Sequence, residues 1–336
     1  VAFQGVWAVD GSTIAGPLMR LMHGSATRSG EGVVDIGDLA VRELAVPGTS
    51  VRVGSGATTV LGREIQWQGS YYSYNTGDIE VPITPTGSGS GRSDLIIARV
   101  EDPTFAGSPW THNASDTLVY ARVIEDVDPG ETGIPAGETI SAIPLARLDI
   151  PASTGTITQD MIVDLRQMMD PRSTQVVRIQ RGMDPIDYAG DVTDAYENWP
   201  NNPWNLAGAR VPIPAWATQA QIRATWAQTL LEATGGTGGN NDARGQVRIR
   251  FYNGSDELVT TPTAYNVNQT SPTNGYRTTI SWADTVSIPS YLRGVDAALA
   301  MQVRGTSGFN GRLAFDQYAV GSVEITFNEV PVLDLA

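Results

Sequence analysis

Along most of this chain, apolar residues recur at every second position in short runs, with Gly, Pro, Asn and Asp between the runs. A period of two puts alternate side chains on opposite faces of an extended strand, and the intervening residues let the backbone reverse. The pattern, with 36 Gly and 20 Pro, therefore favours all-β architecture over helical bundles. At 336 residues, 41% of them hydrophobic, there is material for two cores. The fold class expected is all-β.

Strands are predicted over Thr49–Leu61, Glu64–Asn75, Asp78–Thr84, Asp94–Glu101, Leu118–Glu125 and Ile140–Ile150, the last broken or edged by Pro144. Two short helices are predicted among them. In Ser12–Gly24, Ile14, Leu18, Leu21 and Met22 share a face, Ser12 or Thr13 caps the start and Gly24 the end. In Thr156–Met169 the face is Met161, Leu165 and Met168, Thr156 and Gln159 form a capping box, and Asp170-Pro171 stops the helix. A boundary follows, giving domains 1–172 and 173–336. The second domain reads as strands at 175–181, 209–214, 220–231, 246–253, 258–268, 276–288, 296–304 and 312–328, a jelly-roll-like β-sandwich. The Gly-rich run Thr234–Asn241 reads as a mobile connection between strands.

All 22 basic residues are Arg, and the net charge is −14. Such a chain repels phosphate backbones, so nucleic acid is not an expected partner. The charge is uneven: residues 1–172 hold 21 acids and 11 Arg, residues 173–336 hold 15 acids and 11 Arg. No cysteine is present, which removes disulfides, thiolate metal sites and Cys nucleophiles. No leader is expected at the N-terminus, and no run approaches the ~18 apolar residues of a membrane span.

The residues offer little catalytic chemistry. His23 and His112 lack paired-ligand spacing, so no metal is expected. Gly87–Gly91 (Gly-Ser-Gly-Ser-Gly) lacks the Lys of a phosphate loop and precedes a strand rather than a helix. The acidic turn Glu125–Glu131 departs from calcium-loop spacing. Asp284, Asp296, Asp316 and Glu324 lie on or near strands and are the carboxylates a wall-polysaccharide hydrolase would draw on, a minor alternative. No cofactor and no enzymatic activity are expected. Aromatic residues are more telling. Trp226 alternates with Ile222, Ala224 and Leu230 and reads as core, whereas the face of Trp282 is undecided. Trp199, Asn201, Asn202, Trp204, Asn205 and Trp216 stand in Asn/Pro-rich loops, where an indole can stack on a sugar ring.

The first 170 residues resemble the N-terminal region of minor tail proteins of siphophages that infect actinobacteria. The resemblance lies in Phe3-Gln4-Gly5-Val6-Trp7-Ala8-Val9-Asp10, in Glu31–Val34, in Leu44–Val53, in Gly87–Arg99, in Ile143–Ser153 and in Asp164-Leu165-Arg166. It implies a virion tail location, docking on other tail proteins and a homotrimer; with no leader and no membrane span expected, assembly in the host cytoplasm is expected. Met161, Leu165, Met168 and Met169 are the expected oligomer interface. Independently of the family, Arg92 and Asp94 share one face of an extended segment, and with Asp164 and Arg166 they read as charges that fix the fold. Host attachment through a glycan on the second domain is the functional expectation, with a purely structural tail role as the alternative.

Overall fold

The computed structural model describes residues 15–105, 117–189, 195–200, 210–233, 241–254, 256–269, 276–306 and 311–333. The chain divides into two units, Val1–Pro171 with Val330–Ala336, and Arg172–Glu329. The last few residues thus belong to the first unit, not to the second as the sequence implied. The cause is local: the Val332 N–H donates to the Ile36 carbonyl at 3.0 Å, and the Val332 carbonyl accepts from Arg166 at 3.1 Å.

In the first unit, helix α1 spans Gly16–Ala26 with Pro17 in its first turn, where a missing N–H costs nothing. Gly24, expected as its end, lies inside it against Ser70; the expected caps Ser12 and Thr13, and Ile14, lie outside the described residues. Among the described residues ten strands follow: β1 (Gly32–Val33), β2 (Val41–Glu43), β3 (Ser50–Val53), β4 (Gly56–Leu61), β5 (Ser70–Asn75), β6 (Ile79–Pro82), β7 (Arg92–Val100), β8 (Val119–Val127), β9 (Ala142–Ile150) and β10 (Ile162–Asp164). They form sheets β1-β4-β5, β2-β3-β6 and β10-β9-β7-β8. Val33, Val41, Val53, Val60, Val81, Ile96 and Leu148 draw all three sheets onto one core. Strand β7 is buried on both faces, and Leu95 and Ile97 head a second, smaller cluster on its other side. Pro144 is tolerated inside β9 because the β7–β9 register shifts there, Ala146 facing Ile96 and Pro144 facing Ile97.

The predicted helix over Thr156–Met169 is absent. Its residues make a single 3₁₀ turn, Gln159–Met161, then β10, then an extended run beside β1. Gln159 trades hydrogen bonds with Glu43 instead of closing a box with Thr156: its N–H donates to the Glu43 carboxylate at 3.0 Å, and its amide oxygen accepts the Glu43 N–H at 3.2 Å. The segment is a strap across the unit, and the real burial period is two, through Ile162, Arg166 and Met168. Gly32 (φ 136°) makes the close approach to it possible, since a Cβ there would stand 2.2 Å from the Gln167 carbonyl oxygen.

The second unit is a β-sandwich. Its strands are β11 (Ser173–Gln180), β12 (Asp187–Tyr188), β13 (Glu197–Asn198), β14 (Arg210–Pro212), β15 (Gln219–Ala233), β16 (Asn241–Asn253), β17 (Asp256–Val259), β18 (Thr263–Gln269), β19 (Tyr276–Ser287), β20 (Asp296–Gly305), β21 (Gly311–Phe315) and β22 (Val320–Asn328). One antiparallel sheet runs β11-β22-β15-β21-β12 with β19 on β15; the other runs β13-β20-β16-β17 with β14 on β20 and β18 on β16. Between them lie Ile222, Trp226, Phe251, Leu299, Phe315, Val323 and Phe327. Trp282, whose face the sequence left open, is buried with Trp226. Asn241 opens β16, and the rest of the Gly-rich run, 234–240, lies outside the described residues.

Replacing Arg166 by Ala is expected to destabilise the first unit by about 3–5 kcal/mol, because Asp164 and three carbonyls lose their shared donor. Urea unfolding of the full chain would measure it. A change within the error of the titration would refute a central role for this guanidinium.

Candidate functional site

Three of the six segments that carry the resemblance, Gly87–Arg99, Ile143–Ser153 and Asp164–Arg166, come together at the sheet β10-β9-β7-β8, whereas Glu31–Val34 and Leu44–Val53 reach the other two sheets. In a strand, residues two apart share a face, close enough for a guanidinium fork to lie on a carboxylate. Arg92 does so with Asp94 on β7, Nε to Oδ1 and a terminal N–H to Oδ2, both at 2.7 Å. Asp94 is fully buried, and its Oδ1 also accepts the Asp126 N–H at 3.1 Å. Asp126 has φ 59° where the β7–β8 register shifts, so the carboxylate satisfies a bulge that the ladder cannot.

The same spacing recurs on β9, where Arg147 binds Asp149 at 2.8 and 2.9 Å. The Arg147 bond holds the Asp149 carboxyl below its usual range against the opposing effect of burial, and Ser93 adds a further hydrogen bond. This third pair was missed in the sequence, although its Arg-x-Asp spacing matches that of Arg92 and Asp94. On the strap the order is reversed: Asp164 accepts two bonds from Arg166, at 2.9 and 2.8 Å. The guanidinium of Arg166 is fully buried, and its remaining N–H groups go to the carbonyls of Ile36, Asp38 and Val332.

Beside α1, Arg20 lies 3.3 Å from Asp102, and the Tyr71 hydroxyl donates to the same carboxylate at 2.7 Å. Burial, then the bond to Asp102, pushes the Tyr71 phenol well above its ordinary value. Burial alone would raise Asp102, but hydrogen bonds from Tyr71 and Thr104 and the Arg20 charge leave it lowered. His23 bonds Thr59 Oγ1 at 3.1 Å and meets Tyr72 edge-on. Each of these charges is compensated and suited to holding the fold, not to proton transfer.

The expected interface residues do not share a helical face. Met168 is buried in the main core of the first unit, Met161 packs against that core and Leu165 against the smaller cluster. Met169 accepts a hydrogen bond from Thr59 Oγ1 at 3.0 Å. Their helical spacing was a coincidence of a strap that follows the surface of three sheets.

Of the proposed sugar contacts, Trp199 is removed. It is 1% exposed, its ring sits edge-on to Trp226 at 4.6 Å and to Phe315 at 5.7 Å, and its backbone N–H donates to the Met301 carbonyl at 3.0 Å. Trp216 stays at the core margin, half-buried, with the Arg172 guanidinium 5.3 Å from its ring. Asn201, Asn202, Trp204 and Asn205 lie outside the described residues, as do His112 and Phe3–Asp10. The strand carboxylates have separate partners: Asp284 takes two backbone N–H groups, Asp296 takes Arg210, Asp316 takes Arg277 and Glu324 takes Gln175. The Arg277 bond holds Asp316 below its usual range, the reverse of what a general acid needs.

Besides an open cleft of about 380 Å³ beside Arg92, Ser93 and Asp149, two further clefts are found among the described residues of the first unit. One, of about 340 Å³, is lined by Arg63, Glu31, Ile134, Glu138 and Leu165, with Arg63 and Glu31 already paired at 2.5 Å. The other, of about 330 Å³, is lined mainly by apolar groups such as Leu39, Val53, Ile79 and Val119, with Tyr74 and Tyr120. Among the described residues no cluster of His, Asp and Glu is placed to hold a metal ion, and no helix is long and apolar enough to cross a membrane.

No protein-family model matches the chain, and no curated protein matches it. Among solved structures it is similar to a chain in the structure of the infectious bursal disease virus Gx strain, at 13% identity over 88% of this chain and 69% of that one, with a TM-score of 0.23. The Gt strain gives 12% identity, 88% and 70% coverage and a TM-score of 0.22. The T=1 particles derived from the same virus give 13%, 90% and 76%, with a TM-score of 0.20. Overlaps this slight carry no weight for the fold or the role of this chain.

Two outcomes are expected. Trp199→Ala should destabilise the second unit by about 3–5 kcal/mol, as removal of a core indole does, and thermal unfolding would reveal it; an unchanged melting temperature would restore Trp199 to the surface. Glu329 is paired with Arg172, both through its carboxylate (Nε to Oε2 at 2.8 Å) and through the backbone. Burial would raise its carboxyl, but the Arg172 hydrogen bonds and charge leave it lowered. A depressed folded value stabilises fully above the unfolded carboxylate value of about 4.3, and that stability is lost as pH falls through the folded value. Glu329→Gln should therefore flatten the acid limb of stability against pH, and a limb of unchanged slope would contradict the pairing.

Proposed function

We propose that this chain is a structural protein of a virus particle: a minor tail protein of a bacteriophage, assembled in the host cytoplasm, whose first unit docks on other tail proteins. The observation that carries this reading is the convergence just described. Gly87–Arg99, Ile143–Ser153 and Asp164–Arg166 are far apart in sequence, yet their strands are neighbours and their Arg and Asp residues form one repeated ion-pair pattern. Segments that build one sheet together support a family likeness better than scattered matches would. Mass spectrometry and antibody labelling of purified particles of the encoding virus test it: the chain should be found on the tail, and its absence from washed particles would overturn the reading.

The finer part of the proposal is that the second unit contacts a host-surface glycan. A purely structural role is the second reading, favoured by the burial of Trp199 and by Arg172 over Trp216. Pull-down of the full chain by actinobacterial host cells separates them. A homotrimer follows from the family likeness and is supported by the edge strand β11, which exposes Val177 (49%) and Ile179 (59%) and offers an open ladder to another chain. Light scattering should give three times the monomer mass of 35.8 kDa; a monomer at micromolar concentration would refute the trimer.

A further inference from the structure

The sheet β13-β20-β16-β17 turns one face to the core, and the opposite face is rich in arginine. Three of those arginines have a carboxylate: Arg244 is 2.6 Å from Asp242, Arg250 is 2.7 Å from Glu257 and Arg210 is 2.7 Å from Asp296. Arg248 and Arg304 are different. They lie diagonally across the β16–β20 ladder, with Gln246 facing Arg304 and Arg248 facing Gln302. Arg248 Nε donates to Gln302 Oε1 at 2.8 Å, and Arg304 donates one terminal N–H to Gln246 Oε1 at 2.6 Å. Among the described residues neither has a carboxylate partner.

Both guanidinium groups lie against Tyr196, at 3.8 Å (Arg248) and 5.2 Å (Arg304) from the ring centroid, and its hydroxyl donates to Gln246 at 2.8 Å. Gln302 is in turn held by Asn198 at 2.9 Å. One aromatic ring and two amides thus fix two cations side by side. Burial lowers the Arg248 value; Tyr196 and Glu257 act against it, Arg250 and Arg304 with it, and the net direction is that of a cation partly withdrawn from water. Such an arrangement costs free energy that an incoming oxyanion would return. It also stands out on a chain whose net charge is −14, where diffuse electrostatic attraction of anions is not expected.

We infer that Arg248 and Arg304, positioned by Tyr196, Gln246 and Gln302, form a binding site for the oxyanion of an acidic glycan. This rests on the reading of the second unit as a glycan contact and adds to it the class of glycan: one bearing carboxylate or phosphate groups. Among the described residues, the guanidinium N–H groups that Gln302 and Gln246 leave unused supply the planar donors such groups take up.

The test is titration calorimetry on the full chain with an oligogalacturonate, a glycerol-phosphate oligomer, neutral dextran and poly-glutamate at low and high salt. Binding of either acidic saccharide, weakened by salt and by about tenfold or more in both Arg248→Gln and Arg304→Gln, is the expected result; which of the two binds names the source of the oxyanion. Circular dichroism and melting confirm that the variants are folded, and Arg248→Lys, which keeps the charge without the fork, should lose part of the affinity. Equal binding of dextran, equal binding of poly-glutamate, or affinity unchanged in both Gln variants would overturn the site. If host cells still bind the Arg248→Gln/Arg304→Gln double variant as the parent does, the site falls while host attachment stands.

Discussion

The first unit depends on one buried cation. Arg166 has five N–H donors, and the described structure finds an acceptor for each: two on Asp164, and the carbonyls of Ile36, Asp38 and Val332. A guanidinium without water is tolerable only when every donor is met and a counter-charge is at hand. Meeting those needs fixes where the strap, the 36–38 loop and the returning end of the chain must lie. The apolar core could be filled in several ways, but this set of five bonds is made in only one arrangement. The residues on either side, Ile162 and Met168, then fall into the core that joins the three sheets.

That cation also explains where sequence reasoning failed. In residues 162–168 the inward positions are Ile162, Asp164, Arg166 and Met168, so two charged residues occupy the places where a period of two would show apolar ones. With the alternation hidden, Met161, Leu165 and Met168 supplied a false helical spacing. By contrast β7 was legible, because Leu95-Ile96-Ile97 is apolar throughout and buried on both faces. The sandwich was legible too, its strands alternating plainly, as in β22. Trp199 was misread for another reason: its neighbours Asn198 and Pro200 describe a loop, but the ring is claimed by Trp226 and Phe315 from distant strands, and no local pattern encodes that contact.

The candidate site was the least legible part. Arg248 and Arg304 are 56 positions apart, and each looks like an ordinary polar member of an alternating strand. Only the register of β16 against β20 sets them side by side, and only the arrival of Tyr196 from β13's approach turns two solvated arginines into a fixed pair. The Arg-x-Asp pairs of the first unit are the opposite case: local in sequence, saturated in the structure, and spent on holding strands in place.

The chain crosses from the first unit to the second at 171–172 and returns at 329–330. Just inside those crossings Ser173 faces Asn328 in an antiparallel ladder, and Arg172 grips Glu329. A tensile force transmitted through the covalent backbone is therefore divided between two tethers that begin on adjacent strands. Pulled together, those strands feel no tension that would peel one from the other. Had the unit hung from a single terminus, the full force would have passed into one edge strand, the geometry from which a sheet unzips most readily.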